Sequence, residues 1–439
     1  MIPQKSFPAP SIELNTIQTD RFKTETLSVT VSLPLEKLVT PLYSLVLSIL
    51  KRGTEKYPTQ GHINRRLDEL YATGLSLRAD RYGDNYVLGF SAELLDATYT
   101  DGEIDILDGV LEVITQMLFH PLTEKNGLLL SRFVEREKTI ACDAIQASIN
   151  NPKSYASIRC REIMFDEDNH DLSIAGTVAR IRAVTAEALT ELYRDLIFER
   201  KFRVSYIGSK SKEQVGEQLL RHLGPYLSDP RDFVPDRNGF CPKRAICKRV
   251  DEKSEIAQGK LVIGMRAGVN ILDEDFYPML VFTELYGGSP VSKLFMNVRE
   301  KLSLCYYCSA IYDIYKGTIF VSCGVDPEKR EEAEAEIFRQ LENIRAGHVT
   351  PFEFDAAVKS LLGSYRSISD QPSTLESYYA GRDLFGVFWS VEQCIEAIGA
   401  VTPEDVIRVS KKVETDTVYF LWGDAKDGEE DEDGSTDCV

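Results

Sequence analysis

Ala183-Val184-Thr185-Ala186-Glu187 and Ala400-Val401-Thr402-Pro403-Glu404 are near-copies of one helix start. Each runs through a helical pattern into an apolar strand, Phe202-Arg203-Val204-Ser205-Tyr206-Ile207-Gly208 in the first case and Thr417-Val418-Tyr419-Phe420-Leu421-Trp422-Gly423 in the second. The helix starts lie 217 positions apart and the closing glycines 215, so the helix-to-strand spacing is kept. Self-similarity at so long a period means that one fold unit has been used twice. The signal is also physically sensible. Thr402 offers an oxygen to cap free backbone N–H groups, Pro403 suits the first helical position, and Glu404 complements the helix's positive end.

Working outward, each half repeats one order: a strand, an apolar helix, a glycine break, a second helix and two strands. In the first half these are Thr26 to Leu33, Pro41 to Lys51, Gly53, Gly61 to Tyr71, Leu75 to Arg81 and Tyr86 to Ala92. In the second they are Lys260 to Arg266, Phe276 to Tyr286, Gly287-Gly288, Val291 to Lys301, Leu304 to Tyr312 and Thr318 to Val325. Long helical patterns follow, such as Ile104 to Phe119 and Pro327 to Ala346. Short strands interleaved with long helices predict an α+β fold of two tandem homologous domains, each a mainly antiparallel sheet packed with helices. Pro, Gly and Asp crowd the stretch between the halves, which places domains at 1–227 and 244–423 around a linker at 228–243.

The 439 residues carry 51 Lys and Arg against 69 Asp and Glu, a net charge of −18 that repels phosphate backbones and anionic membranes. Neither nucleic acid nor membrane is an expected partner. Eight of the acids fall in residues 424–439, which read as a solvated, disordered tail, with an acidic interaction tail as the alternative. Nine scattered cysteines do not form a secreted-type disulfide framework, and Met1-Ile2-Pro3-Gln4-Lys5 leads into no signal-like apolar run. A cytoplasmic protein is expected.

Familiar catalytic patterns fail one after another. The chain has neither G-x-x-x-x-G-K-[ST] nor G-x-G-x-x-G after a strand, and Gly287-Gly288-Ser289 is followed by Pro290, not by the x-G of a nucleophile elbow. The five histidines never fall at the i, i+4 spacing that sets two imidazoles over one zinc ion. Cys305-Tyr306-Tyr307-Cys308 has C-x-x-C spacing, but strand alternation is expected to send the two thiols to opposite faces.

Tyr286-Gly287-Gly288-Ser289-Pro290-Val291-Ser292-Lys293-Leu294-Phe295, continuing Val298-Arg299-Glu300-Lys301-Leu302-Ser303-Leu304-Cys305-Tyr306, resembles the second-half signature of the pitrilysin/insulinase family of zinc metallopeptidases. That signature is a glycine turn, S-x-L-F and R-E-x-x-x-L-x-Y, and the resemblance covers nearly the whole chain. Arg52-Gly53-Thr54-Glu55-Lys56-Tyr57-Pro58 resembles the segment that follows the family's H-x-x-E-H zinc motif. Counting back puts the two histidine positions at Ser44 and Ser48 and the general-base position at Leu47. Glu137 to Ile145 resembles the helix of the third zinc ligand, whose place falls to Ala144, with Asp143 one position away.

Serine hydroxyls do not ligate zinc as imidazole does and leucine takes no proton from water, so no zinc, no cofactor and no catalysis are expected of this chain alone. Ser44 and Ser48 are expected to bond back to the i−4 carbonyls of their own helix. The family's N-A-x-T strand is also lost, with Arg78 near the asparagine position, so the first half is not expected to hold peptide productively. Arg299 and Tyr306 match the arginine and tyrosine with which the family binds substrate backbone and steadies an oxyanion. As bare residues they have another use, Arg299 complementing a helix C-terminus and Tyr306 packing in a sheet.

The resemblance implies the non-catalytic subunit of a heterodimeric zinc metallopeptidase that processes peptides, with zinc and H-x-x-E-H in the partner. It is similar to bacterial subunits associated with the 5-aminopentanol modification of elongation factor P. The alternative is a peptidase-fold scaffold or peptide-binding protein with no catalytic partner.

Overall fold

The computed structural model describes residues 1–36, 38–166, 176–231, 233–237 and 246–424. Its first sheet contains β1 (Gln4–Ala9), β2 (Ile12–Gln18), β3 (Thr24–Pro34), β4 (Gly74–Tyr82), β5 (Asn85–Leu95) and β6 (Phe202–Gly208), in the order β1-β2-β6-β3-β5-β4. The second contains β7 (Lys248–Lys253), β8 (Gly259–Arg266), β9 (Cys305–Asp313), β10 (Thr318–Val325) and β11 (Glu414–Trp422), in the order β7-β11-β8-β10-β9. Apart from β1 the two orders superpose strand for strand, which is the duplication read from the repeated helix starts. Each sheet has one parallel pair, β2 with β6 and β7 with β11, and is otherwise antiparallel.

The helix starts work as their residues predict. Thr402 accepts from the Asp405 N–H in a capping box with Pro403 in the first turn, and Thr185 accepts from the Ala188 N–H. Of the acidic tail only Asp424 is described, paired with Lys253, and residues 425–439 lie outside the described residues. No helix among the described residues is long and apolar enough to cross a membrane.

Alternation in β3 predicts one wet face, yet all its residues from Glu25 to Leu33 are buried. The halves cover each other. Helix Pro372–Phe385 of the second half packs on β3 and β6, while helix Pro152–Met164 of the first packs on β8 and β11. Two apolar clusters seal these contacts, one around Tyr82, Val87, Phe276 and Phe385, the other around Ala156, Cys160, Val262 and Tyr419. A Cβ at Gly381 would stand 2.2 Å from the Tyr315 hydroxyl and 2.4 Å from the Tyr82 ring, so glycine permits that approach. The polar face of β3 thus becomes interior, where Ser28 donates to Ser91 at 3.2 Å and Thr30 to the Arg203 carbonyl at 3.0 Å, while the buried Thr26 and Ser32 hydroxyls have no hydrogen-bond partner.

Charged pairs cross the same boundary. Arg78 on β4 pairs with Glu376 on Pro372–Phe385, and their side chains are 8% and 4% exposed. Arg203 pairs with Asp383 and, at 3.1 Å, with Glu13. In the Pro- and Gly-rich stretch between the halves, the Asp236 N–H donates to Asn85 Oδ1 at 2.8 Å and Arg237 Nε to the Leu384 carbonyl at 2.9 Å. Asp236 and Arg237 are thus bonded one to each half.

Candidate functional site

Helix Thr40–Leu50 carries the positions that the resemblance sets against the zinc motif, and every residue in it except Ser44 and Ser48 is buried. Ser48 Oγ donates to the Ser44 carbonyl at 3.1 Å, the back-bond expected of it. Ser44 differs. Its hydroxyl shares a hydrogen bond with the phenol of Tyr86 on β5, whose pKa burial pushes up to about 12. Facing a buried phenol is a better use of the hydroxyl than bending its own helix. Leu47 is 2% exposed in the core, and Ala144 and its neighbour Asp143 are exposed on helix Ser131–Asn150. Two turns before Ala144, buried Glu137 pairs with Arg52, which also donates to Gln60 Oε1 at 2.8 Å. Two committed hydroxyls, an aliphatic side chain and a methyl group do not fit a zinc ion.

Arg299 and Tyr306 come together in the second half. Helix Phe276–Thr283 widens into a π-turn at Glu284–Gly288, where a Cβ on Gly287 would stand 2.7 Å from Ala310 of β9. The chain turns at Ser289–Ser292 and winds again as π-helix over Phe295–Lys301. Such widened turns are frequent at functional sites, because the extra residue re-aims the side chains around it. The ordinary helices expected over 276–286 and 291–301 are therefore each modified. Ser303, at φ 49°, ends the second winding and swings the chain into β9. Replacing Ser303 with Val is expected to cost about 1–2 kcal/mol, because a β-branched side chain fits this left-handed region poorly. Ser303→Gly should keep the wild-type thermal midpoint, and equal midpoints for both variants would count against this strain.

Arg299 lies over the Phe295 ring at 4.7 Å with Glu300 at 3.5 Å, and its side chain is 43% exposed. Tyr306 is 60% exposed. Both line one open recess of about 440 Å³ with Glu300, Ser303, Leu304, Cys305, Asp326 and Lys329, all from the second half. Both side chains reach solvent. The guanidinium's donors and the phenol hydroxyl can meet a carbonyl entering there. Arg78, by contrast, lies buried against Glu376, Asp80 and Tyr82.

One expectation fails. Cys305 and Cys308 share a face of the sheet, because β9 carries a bulge. Cys308 pairs with Cys323 and Tyr307 with Gly324, but Val325 pairs with Cys305, leaving Tyr306 as the extra residue. An inserted residue cancels the alternation and restores both thiols to one side. Cys323 was missed altogether. The signal for it was the hairpin register, since pairing Asp313 with Thr318 across the turn sets Cys308 opposite Cys323.

Residues 183–361 match the family model of the peptidase M16 inactive domain, a span that includes Arg299 and Tyr306. The chain is 27% identical over 407 residues to the probable inactive metalloprotease YmfF of Bacillus subtilis, covering 93% of this chain and 95% of the relative. It is 20% identical over 370 residues to the uncharacterized zinc protease YmxG of the same organism, covering 82% and 87%. A solved peptidase M16 inactive domain from Pseudomonas fluorescens superposes with a TM-score of 0.78 at 14% identity, covering 97% of this chain and 100% of that one.

Proposed function

We propose that this chain, whose residues 183–361 match the peptidase M16 inactive domain and whose fold is that of M16-like peptidases, is the non-catalytic subunit of a heterodimeric zinc metallopeptidase that processes peptides. The observation that carries this reading is the pairing of exposed Arg299 and Tyr306 in one recess, in a chain whose positions aligned with the zinc motif hold two serines, a core leucine and an alanine. The partner is a second M16-type chain bearing H-x-x-E-H. It would supply the Lewis acid and the activated water. Arg299 and Tyr306 bind the peptide backbone and donate to the carbonyl oxygen as its charge grows, which counts most in a water-poor cleft. That Bacillus subtilis holds both a probable inactive relative and a zinc-protease relative supports such a pairing.

The test is reconstitution with an H-x-x-E-H chain encoded by the same genome. Peptide hydrolysis should need both chains, and Arg299→Ala should lower kcat about 100-fold. The thermal midpoint of the variant should stay put, since the side chain is half exposed. Hydrolysis by this chain alone, or a pair indifferent to Arg299→Ala, would overturn the proposal.

A further inference from the structure

The winding Phe295–Lys301 borders two recesses. Arg299 and Glu300 face the one already described, while Asn297 and Lys301 line another of about 450 Å³. Lys293, Lys301 and Arg339 stand in this second recess against one lining carboxylate, Glu353, which Lys293 pairs at 2.8 Å. Arg339 also pairs with Glu336, whose side chain is buried. The Lys301 ammonium and the imidazole of His348, also in the lining, have no hydrogen-bond or ion-pair partner among the described residues. The recess around Arg299 sets two cations against two carboxylates, and the cations of the cavity between the halves are paired with Asp383 and Glu376. A cationic excess is therefore local to this place, in a chain whose net charge is −18.

We propose that the recess is the docking site of the chain's own acidic segment, residues 427–437. Residues 425–439 hold seven acids and one lysine, −6 of the total −18, which leaves −12 on the rest. A body of that charge repels separate acidic partners, whereas a tethered segment faces the recess at an effective concentration in the millimolar range. Single surface ion pairs hold little, so it is the unbroken run of acids at 429–433, meeting several cations at once, that makes the contact.

The strand registers bring the root of the segment to the right end of the sheet. Leu421 of β11 stands opposite Lys260 of β8, Lys260 opposite Gly324 of β10, and Gly324 opposite Tyr307 of β9. That row spans three strand spacings and Lys301 lies six residues before Tyr307, so Leu421 and Lys301 are at most about 36 Å apart. Asp433, twelve residues beyond Leu421, can extend about 40 Å. A filled recess would brace the winding from which Arg299 projects. That consequence rests on the peptidase reading; the docking does not.

The experiment is carbodiimide coupling of carboxylates to amines in the full-length chain, with peptide mass mapping of the monomer. The surface pair Lys253–Asp424 is the control. Lys301 should be found joined to a carboxylate of residues 427–437, and raising NaCl to about 0.5 M, where the screening length is about 4 Å, should lower the yield about fivefold or more. Arg339→Glu, at an exposed side chain, should lower it about tenfold and leave Lys253–Asp424 unchanged. Exchanging Glu429, Glu430, Asp431, Glu432 and Asp433 for their amides should lower the coupling through Asp427 and Asp437 likewise, and that variant leaves every described residue intact. Coupling at Lys253 without coupling at Lys301, tail carboxylates shared evenly among exposed lysines, a Lys301 linkage confined to cross-linked dimers, or a yield indifferent to these substitutions would overturn the proposal. Mapping needs no partner or substrate, so its outcome is separate from that of the peptidase reconstitution.

Discussion

Arg78→Ala is expected to cost about 3–5 kcal/mol and to lower the urea midpoint by about 1 M. Burial works against the charge on Arg78, but Glu376, Tyr82 and Asp80 outweigh it and hold the guanidinium more firmly protonated than usual. With the cation gone, Glu376 is left as a carboxylate at 4% exposure between the two halves. An unpaired buried charge, more than the loss of the pair itself, sets the size of the effect. Arg78→Met combined with Glu376→Leu should therefore recover most of the midpoint, because apolar groups of similar volume remove both charges from the boundary. Equal losses in the single and double variants would show that side-chain packing, and not charge, holds Arg78 in place. Urea denaturation of the three proteins, wild type included, decides between these outcomes.

Leu47→Glu, the substitution that alignment would describe as restoring a general base, should destabilise the chain by about 4 kcal/mol. The leucine's burial is worth about 2 kcal/mol, and placing a carboxyl in its site adds a desolvation cost of similar size. The sign of the pH dependence follows from that burial. A carboxyl at position 47 has its folded pKa raised above the unfolded value near 4.3, so the folded state favours its protonated form. The deficit relative to wild type is smallest at low pH and grows as pH rises toward the folded pKa. Thermal midpoints of the variant and wild type at pH 5 and pH 8 test this, with the larger gap expected at pH 8. A gap independent of pH would mean that water reaches the site and that the position is not the closed core seen here.

The candidate site was legible in some parts and not in others. Arg299 and Tyr306 could be singled out because their motif is local, and the structure sets them at one recess. The fate of Ser44 was only half legible: a hydroxyl on an apolar helix must find an acceptor or donor, but the choice of Tyr86 belongs to the packing of the helix on β5. Arg52 with Glu137 and Arg78 with Glu376 gave no signal, since 85 and 298 positions separate the partners and either charge alone reads as surface. The π-windings at Glu284–Gly288 and Phe295–Lys301 were hidden too, because an added residue in a helical turn is paid for by contacts with β9 and not by local propensity.

By itself the amino-acid order determined the duplication, the strands and helices of each copy, and the replacement of the aligned zinc-motif residues. Capping, glycine breaks and short-period patterning act over a few residues, and so they survive without a partner. Tertiary structure alone decided that each half's helix would bury the other's outer sheet face, and that the Tyr306 bulge would put two cysteines on one side. Both depend on what the neighbouring strand or helix offers, and that neighbour is fixed only when distant segments meet.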